Sequence, residues 1–180
     1  MIKINPKKTS KKILQEYLLS VVGPRPIALA STIDKNNIPN LSPFSFFNVF
    51  SGNPPILIFS PAKRIRDNTE KDTLRNVKQT SEVVINIVTE HIVEQMVLSS
   101  LDYPSNVDEF LKSGLTHLNS ELVSPFRVKE SPVQMECKIN DIIPLGKEGG
   151  AGNLIICEVL LIHISEEILD ENKKVNQEKI

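Results

Sequence analysis

Basic and hydroxyl side chains crowd into one short polar segment that directly precedes a helical pattern. A phosphate is bound in proteins by such a combination, because basic side chains, hydroxyls and the N–H groups of a helix N-terminus all donate to its oxygens. The segment therefore indicates a phosphate-bearing ligand, although a solvated basic loop has the same composition. The side chains concerned are Ser60, Lys63, Arg64, Arg66, Lys71 and Thr73.

A second segment, NLSPFSFFN at residues 40–48, alternates aromatic side chains with hydroxyls and amides. A planar ring that carries polar groups along its edge needs apolar walls together with nearby donors and acceptors. The segment could supply both, and a half-buried strand is the alternative interpretation. The candidate contacts are Ser42, Pro43, Phe44, Ser45, Phe46 and Phe47.

No side-chain catalytic set is evident elsewhere in the sequence. The glycine-rich run 146–152 lies between two predicted strands and opens no helix, so it predicts a hairpin rather than a dinucleotide fingerprint. Neither cysteine, Cys137 or Cys157, has a local histidine partner, and the three histidines show no metal-ligand spacing. Any chemistry is therefore expected to come from a cofactor, with no metal.

The elements that would position these residues are mostly strands. Apolar and β-branched runs bounded by turn residues predict strands at 27–32, 55–61, 82–88, 133–146 and 153–168, and the turn cluster 34–40 predicts a hairpin return through the Phe-rich segment. These runs do not alternate regularly with helices. The pattern favours an antiparallel barrel with flanking helices in a single domain over residues 1–180.

Three helices are predicted from caps and apolar spacing, and a fourth, short one near DEFLKSG at residues 108–114. The first is capped by Ser10, the second presents Leu74 and Val77 to the core, and the third is capped by Thr89. Residues 100–130 otherwise predict an irregular excursion. The apolar side chains expected on the first and third helices are Ile13, Leu14, Tyr17 and Leu18, and Ile92, Val93, Met96 and Val97.

Composition excludes several classes of protein. The net charge of −1 argues against a nucleic-acid binder, and the most apolar run, residues 154–164, is too short to cross a bilayer. Two cysteines in apolar strands predict reduced core thiols, which is typical of a cytoplasmic protein.

The order of several motifs resembles a known family. The order and spacing of seven segments resemble those of the flavin reductase-like FMN-binding split barrels. The segments are GPRPIALAST, NLSPFSFFN, NPPILIFSP, KDTLRN, VVINIV, VDEFLKSGL and SPVQMECKI. The resemblance runs from about residue 20 to 168. It implies a mainly β, antiparallel split β-barrel of Greek-key type, with six or seven strands and flanking α-helices.

The resemblance also implies roles for individual residues. Ser31, Thr32 and the segment from Ser42 to Phe47 resemble the parts that line the flavin ring and ribityl chain. Ser60, Arg64, Lys71 and Thr73 resemble the parts around the phosphate, and Asp72 is expected to fix the loop. The DEF segment (108–110) resembles an element near the mouth of the site, and the alternative is that Asp108 only caps a short helix and Phe110 only anchors the loop. Two further residues have open interpretations. Arg25 contacts the flavin or a second subunit, or forms an ion pair at the barrel rim, and His163 faces the site or is satisfied by a neighbour.

The activity implied is that of an NAD(P)H-dependent flavin reductase. Bound FMN would take electrons from NADH or NADPH and pass them to free flavin or another small acceptor, within a homodimer that completes the pocket. A flavoredoxin-like electron carrier without nicotinamide activity would have the same sequence features. A barrel that has lost its flavin is a third alternative, which the retained phosphate-binding residues disfavour.

Overall fold

Seven strands form one continuous antiparallel sheet in the computed structural model, which describes residues 1–180. The strands are β1 (Ala28–Ile33), β2 (Pro39–Phe44), β3 (Phe47–Gly52), β4 (Pro55–Phe59), β5 (Glu82–Ile87), β8 (Val133–Pro144) and β9 (Asn153–Ile164). Their order across the sheet is β2-β1-β5-β8-β9-β4-β3, and every neighbouring pair is antiparallel.

The sheet curls until strands far apart in its order share one core. Phe44 on β2 and Phe59 on β4 lie with their ring centroids 5.5 Å apart, although four strands separate β2 from β4. Both rings belong to an apolar cluster to which β1, β5, β8 and β9 also contribute. This closure gives the predicted mainly β split barrel with flanking helices, and its seven strands agree with the six or seven expected.

Four helices flank the barrel: α1 (Lys11–Val21), α2 (Asp72–Thr80), α3 (Val93–Ser99) and α4 (Glu109–Ser113). Helix α2 packs Leu74 and Val77 into the barrel core, as predicted. Ser10 caps α1 by accepting from the Ile13 N–H at 3.4 Å, yet no residue of α1 is buried.

The predicted cap of the third helix is wrong. Thr89 precedes a 3-10 turn at Glu90–Ile92, and its side chain makes no capping hydrogen bond. Of the apolar side chains predicted for the third helix, only Ile92 is fully buried. The 3-10 turn has fewer residues per turn than an α-helix, so the side chains that follow it leave the helix axis at other angles than the α-helical pattern predicts.

Residues 88–132, between β5 and β8, form the whole excursion and cover the outside of the barrel. Its core contains Phe110, Leu115 and Val128, packed on Leu29 and Leu41 from the outer faces of β1 and β2. A short pair, β6 (His117–Leu118) and β7 (Arg127–Val128), was not predicted from the sequence. Within the excursion, both α3 and α4 contact β2.

Cys137 and Cys157 are free and fully buried in the barrel core, as expected of core thiols. Their mutual hydrogen bond and their burial raise the pKa of Cys137, so that thiol is an inert packing group. None of the helices combines the length and apolar character needed to span a bilayer.

Candidate functional site

A polar cavity of about 360 Å³ opens between the start of α2, the end of β2 and the excursion. Three parts of the chain that are distant in sequence form its walls. The first is the basic loop, residues 60–71, together with the start of α2; the second is strand β2; and the third is the segment that follows α3. The lining side chains that matter here are Asn40, Ser42, Arg64, Lys71, Thr73, Ser99, Ser100, Asp102, Tyr103 and Glu109.

The N-terminus of α2 points its first turn into this cavity without a side-chain cap. Lys71 is the N-cap residue, and its side chain makes no capping hydrogen bond. The first amide N–H groups of a helix have no intrahelical acceptor, and the helix dipole makes that end electropositive. An anionic group is the natural partner of such an end.

Lys71 lies in the cavity wall as a cation that lacks a carboxylate partner. Its Nζ sits 5.3 Å from the centroid of the Phe44 ring, and it forms no salt bridge. Burial, and then the nearby Arg64 guanidinium, lower the pKa of Lys71. A group in this situation gains most from an anion, which would offset both causes at once.

Arg64 is held in place by the loop that it belongs to and by the excursion. Its Nη1 donates to the Glu70 carbonyl at 2.6 Å, and its Nη2 lies 3.3 Å from both the Asp72 and the Asp102 carboxylates. Asp72 also pairs with Arg75. Asp72 thus fixes the loop, as the sequence predicted, while Asp102 joins the loop to the excursion.

A second cavity of about 260 Å³ adjoins the first and differs from it in character. Lys71 and Ile65 line both cavities, so the two cavities are neighbours. The turn between β2 and β3 forms an apolar wall of the second one. The lining residues from the predicted set are Pro43, Phe44, Ser45, Phe46 and Ser60.

Four other predicted contacts lie outside the two cavities. Ser31 and Thr32 are fully buried, and Thr32 hydrogen-bonds Asn40 and Asn76 inside the protein. Phe47 packs against the barrel core. Arg25 donates through Nη1 to the carbonyls of Leu19 and Val22 near the end of α1, so neither the ion pair nor a contact with the cavities occurs within this chain.

His163 is satisfied by a neighbour, which was the second interpretation of this residue. Its Nε2 lies 2.7 Å from Oε1 of Glu136, a fully buried carboxylate. The same carboxylate accepts N–H bonds from residues 121–123 of the excursion at 2.6 to 3.2 Å. The pair therefore anchors a loop and contributes no group to either cavity.

Sequence reasoning found part of the excursion's contribution to the cavity and missed the rest. Glu109 lies in the DEF segment that the resemblance put near the mouth of the site, and it lines the cavity, whereas Asp102 and Tyr103 were not predicted. Asp108 caps α4 through N–H bonds from Phe110 and Leu111, which was the alternative interpretation of this residue. The cap predicts the helix but gives no information on which strand the helix packs against.

The glycine-rich hairpin between β8 and β9 packs directly on the basic loop. Gly150 N donates to the Lys63 carbonyl and Lys63 N donates to the Ala151 carbonyl, both at 3.0 Å. A Cβ at Gly149 would stand 2.9 Å from the Arg64 carbonyl oxygen and 2.9 Å from the Ile65 Cα. The glycines were correctly predicted as hairpin residues, and Gly149 in addition permits the close approach that supports Arg64.

We expect Gly149→Ala to destabilise the protein, because backbone atoms cannot yield as a flexible side chain can. A cost of about 1–3 kcal/mol is typical of such overpacking, which corresponds to a melting temperature lower by roughly 2–12 °C for a domain of this size. Thermal unfolding measures it. Gly52→Ala is the matched control, since a Cβ there meets nothing within 4 Å. Equal melting temperatures for the two variants would contradict the close packing of the hairpin.

Comparison with known proteins places this geometry in a family. The family model described as "Flavin reductase like domain" matches residues 23–178. An uncharacterized protein of Aquifex aeolicus is 43% identical over 173 residues, covering 96% of this chain and 86% of that protein.

Two solved structures are similar over nearly the whole chain. Nitrilotriacetate monooxygenase component B from Bacillus cereus has a TM-score of 0.92 and 30% identity, covering 99% of this chain and 88% of that one. The 2-nitrobenzoate 2-nitroreductase NbaA of Pseudomonas fluorescens has a TM-score of 0.82 and 29% identity, covering 97% and 83%.

Proposed function

The chain belongs to the flavin reductase-like domain family, and from that premise we propose that it is an FMN-binding oxidoreductase that takes electrons from NADH or NADPH. The adjacency of the two cavities carries the proposal. The first cavity is cationic and the second is walled by aromatic side chains, and Lys71 lines both. FMN has this polarity, with a phosphate at one end and a planar ring at the other.

The residues at the cationic end suit a phosphate. Arg64 and Lys71 supply positive charge, and the uncapped first turn of α2 supplies N–H donors. Lys71 forms no salt bridge, so its charge is available without breaking an existing pair. Ser99 and Ser100 donate their own hydroxyl protons to carbonyls of α3 and therefore offer only oxygen lone pairs.

The residues at the apolar end suit a ring. Phe44 and Phe46 form its wall, while the Ser45 and Ser60 hydroxyls and the turn's backbone offer hydrogen bonds. Apolar walls exclude water from a bound ring, and fixed dipoles tune its potential. The flavin supplies the electron-transfer chemistry when it is bound, so the absence of a side-chain acid–base set is consistent with this function.

An absorption spectrum recorded anaerobically before and after addition of NADH or NADPH tests the proposal. Flavin bands that bleach with either nucleotide are the expected result. Bands that persist with both would favour the electron carrier, which needs another donor. No flavin bands after incubation with excess FMN would contradict a resident cofactor.

We also propose a homodimer, on the basis of apolar surface that this chain leaves uncovered. Helix α1 is amphipathic but has no buried residue, and Leu18 and Val21 are exposed. On the edge strand β3, Val49 and Phe50 are each 64% exposed. Exposed apolar side chains on a helix face and on an edge strand are features of protein–protein contacts.

Sedimentation equilibrium is expected to give the mass of two chains. Phe50→Asp should shift the protein toward the mass of one chain, because a charge at an apolar interface is left without a partner. The control is Leu111→Asp, a change on an exposed residue of α4. A wild-type protein with the mass of one chain at micromolar concentration would contradict the homodimer.

A further inference from the structure

A chain of hydrogen bonds links the excursion to the first turn of α2 through strand β2. Asn40 Nδ2 donates to Glu109 Oε1 at 3.0 Å, and Thr73 Oγ1 donates to Asn40 Oδ1 at 2.9 Å. All three residues are buried, with 8% of Asn40, 7% of Glu109 and 1% of Thr73 exposed. The sequence did not indicate that these three residues are hydrogen-bonded to one another, because the bonded pairs are 33 and 69 residues apart.

The direction of each bond follows from Glu109. An ionised carboxylate only accepts hydrogen bonds, so the NH₂ group of Asn40 must face it and the Asn40 oxygen must face α2. The second carboxylate oxygen accepts from the Leu41 N–H at 3.1 Å. Burial raises the pKa of Glu109, and the bonds from Leu41 and Asn40 oppose that effect.

The Asn40 oxygen is the point at which two elements are tied together. Besides Thr73 it accepts from the Thr32 hydroxyl at 3.3 Å, and Thr32 in turn accepts from Asn76 Nδ2 at 3.1 Å. Thr73 is the second residue of α2, and Asn76 lies one turn further along. Asn40 therefore holds the first turn of α2 from inside the protein, and Glu109 holds Asn40.

We propose that Asn40 and Glu109 are positioning residues that fix the first turn of α2 for the phosphate of the flavin, so that phosphate affinity depends on the excursion. The inference rests on the proposed function, since it assumes that α2 receives that phosphate. It assigns to Glu109, an acidic group in an anion-binding cavity, a role that does not require contact with the ligand.

The test compares FMN with riboflavin, which has the same ring and ribityl chain but no phosphate. We expect Asn40→Ala and Glu109→Ala each to raise the Kd of FMN about tenfold and to leave that of riboflavin within about twofold, as for the loss of one hydrogen-bonded contact. The double variant should resemble either single one, because both changes break the same chain. Glu130→Ala is the control, as Glu130 also accepts a backbone N–H in the excursion, from Thr116.

A measurement on the wild-type protein keeps the inference testable if a variant does not fold. Coupling between two sites is reciprocal, so FMN should slow amide exchange in α4 several-fold more than riboflavin does. Equal protection of α4 by the two ligands would overturn the inference, as would variants that weaken FMN and riboflavin equally. A wild-type protein with no preference for FMN over riboflavin would overturn the phosphate site itself, and the inference with it.

Discussion

Lys71→Met is expected to raise the Kd of FMN about 10- to 150-fold, which corresponds to the roughly 1.5–3 kcal/mol of a hydrogen bond to a charged group. Methionine is an unbranched side chain of similar length that lacks the ammonium group, whose Nζ lies 5.3 Å from the Phe44 ring centroid, so the change removes mainly the charge. The affinity for riboflavin should stay within about twofold. Equilibrium titration followed by flavin fluorescence measures both constants.

The Lys71→Met substitution should increase the free energy of unfolding or leave it unchanged. Lys71 is a partly desolvated cation beside Arg64, and both circumstances oppose its charge. Removing an uncompensated charge from a folded protein relieves that cost, as is common where a site is kept ready for a ligand. A variant that loses FMN affinity and also becomes much less stable would point to a structural role of Lys71.

Lys78→Met is the matched control for this substitution. Lys78 lies in the last turn of the same helix and pairs with Glu70. The same change at that end should leave both Kd values unaltered. If Lys71→Met weakened FMN and riboflavin equally, Lys71 would act on the ring through Phe44, and the phosphate assignment would be wrong.

The lowered pKa of Lys71 gives the FMN affinity a defined dependence on pH. A phosphate favours the charged amine and so raises the pKa of Lys71 on binding. When the pH is above the pKa that Lys71 has in the free protein, FMN binding must take up a proton. The affinity for FMN therefore falls as the pH rises through this lowered pKa toward 10.5, the ordinary pKa of a lysine. The ratio of the FMN and riboflavin constants isolates the effect, and the Lys71→Met variant should lack it.

The sequence predicted the barrel well because local patterns specify its strands. Alternation and turn residues located β1, β4, β5, β8 and β9 to within a few residues. The Phe-rich segment proved to be two strands, since Ser45 and Phe46 form the turn between β2 and β3. Nothing in the composition of NLSPFSFFN specifies where the chain reverses.

The site was predictable where its residues are consecutive and not where they converge. Arg64, Lys71 and Thr73 lie in one segment and do line one cavity. Asn40, Asp102 and Glu109 reach the same cavity from separate elements, and only tertiary packing brings them there. Ser31 and Thr32 were placed in the site by the family resemblance, but β1 lies between β2 and β5 in the sheet and both side chains are fully buried.

Glu136 illustrates the same limit with a larger energetic consequence. It lies in the strand VQMECKI, where alternation alone does not distinguish a buried carboxylate from an exposed one. In the structure it is fully buried and accepts from the N–H groups of Glu121, Leu122 and Val123 as well as contacting His163. A single side chain thus satisfies the backbone of a loop that has few bonds of its own.

We expect Glu136→Gln to lower the free energy of unfolding by about 3 kcal/mol, the scale for breaking a buried charged network by removing one partner. Both carboxylate oxygens accept backbone N–H groups, so the NH₂ group of glutamine faces a backbone donor in either orientation of the amide. Urea unfolding followed by circular dichroism measures the loss. Glu82→Gln is the control, because Glu82 accepts a single N–H from the same loop, that of Ser124 at 2.8 Å, and should cost about 1 kcal/mol.

The sign of the pH dependence separates this network from simple packing. Burial alone would raise the pKa of Glu136, but the N–H groups of Glu121 and Leu122 and the contact with His163 hold it below the ordinary value of 4.5. A carboxylate with a lowered pKa in the folded state contributes stability above pH 4.5 and loses it as the pH falls through the folded-state value. The stability difference between wild type and Glu136→Gln should therefore shrink below pH 4.5. A difference that stays constant down to pH 3 would mean that the carboxylate acts through its shape and not through its charge.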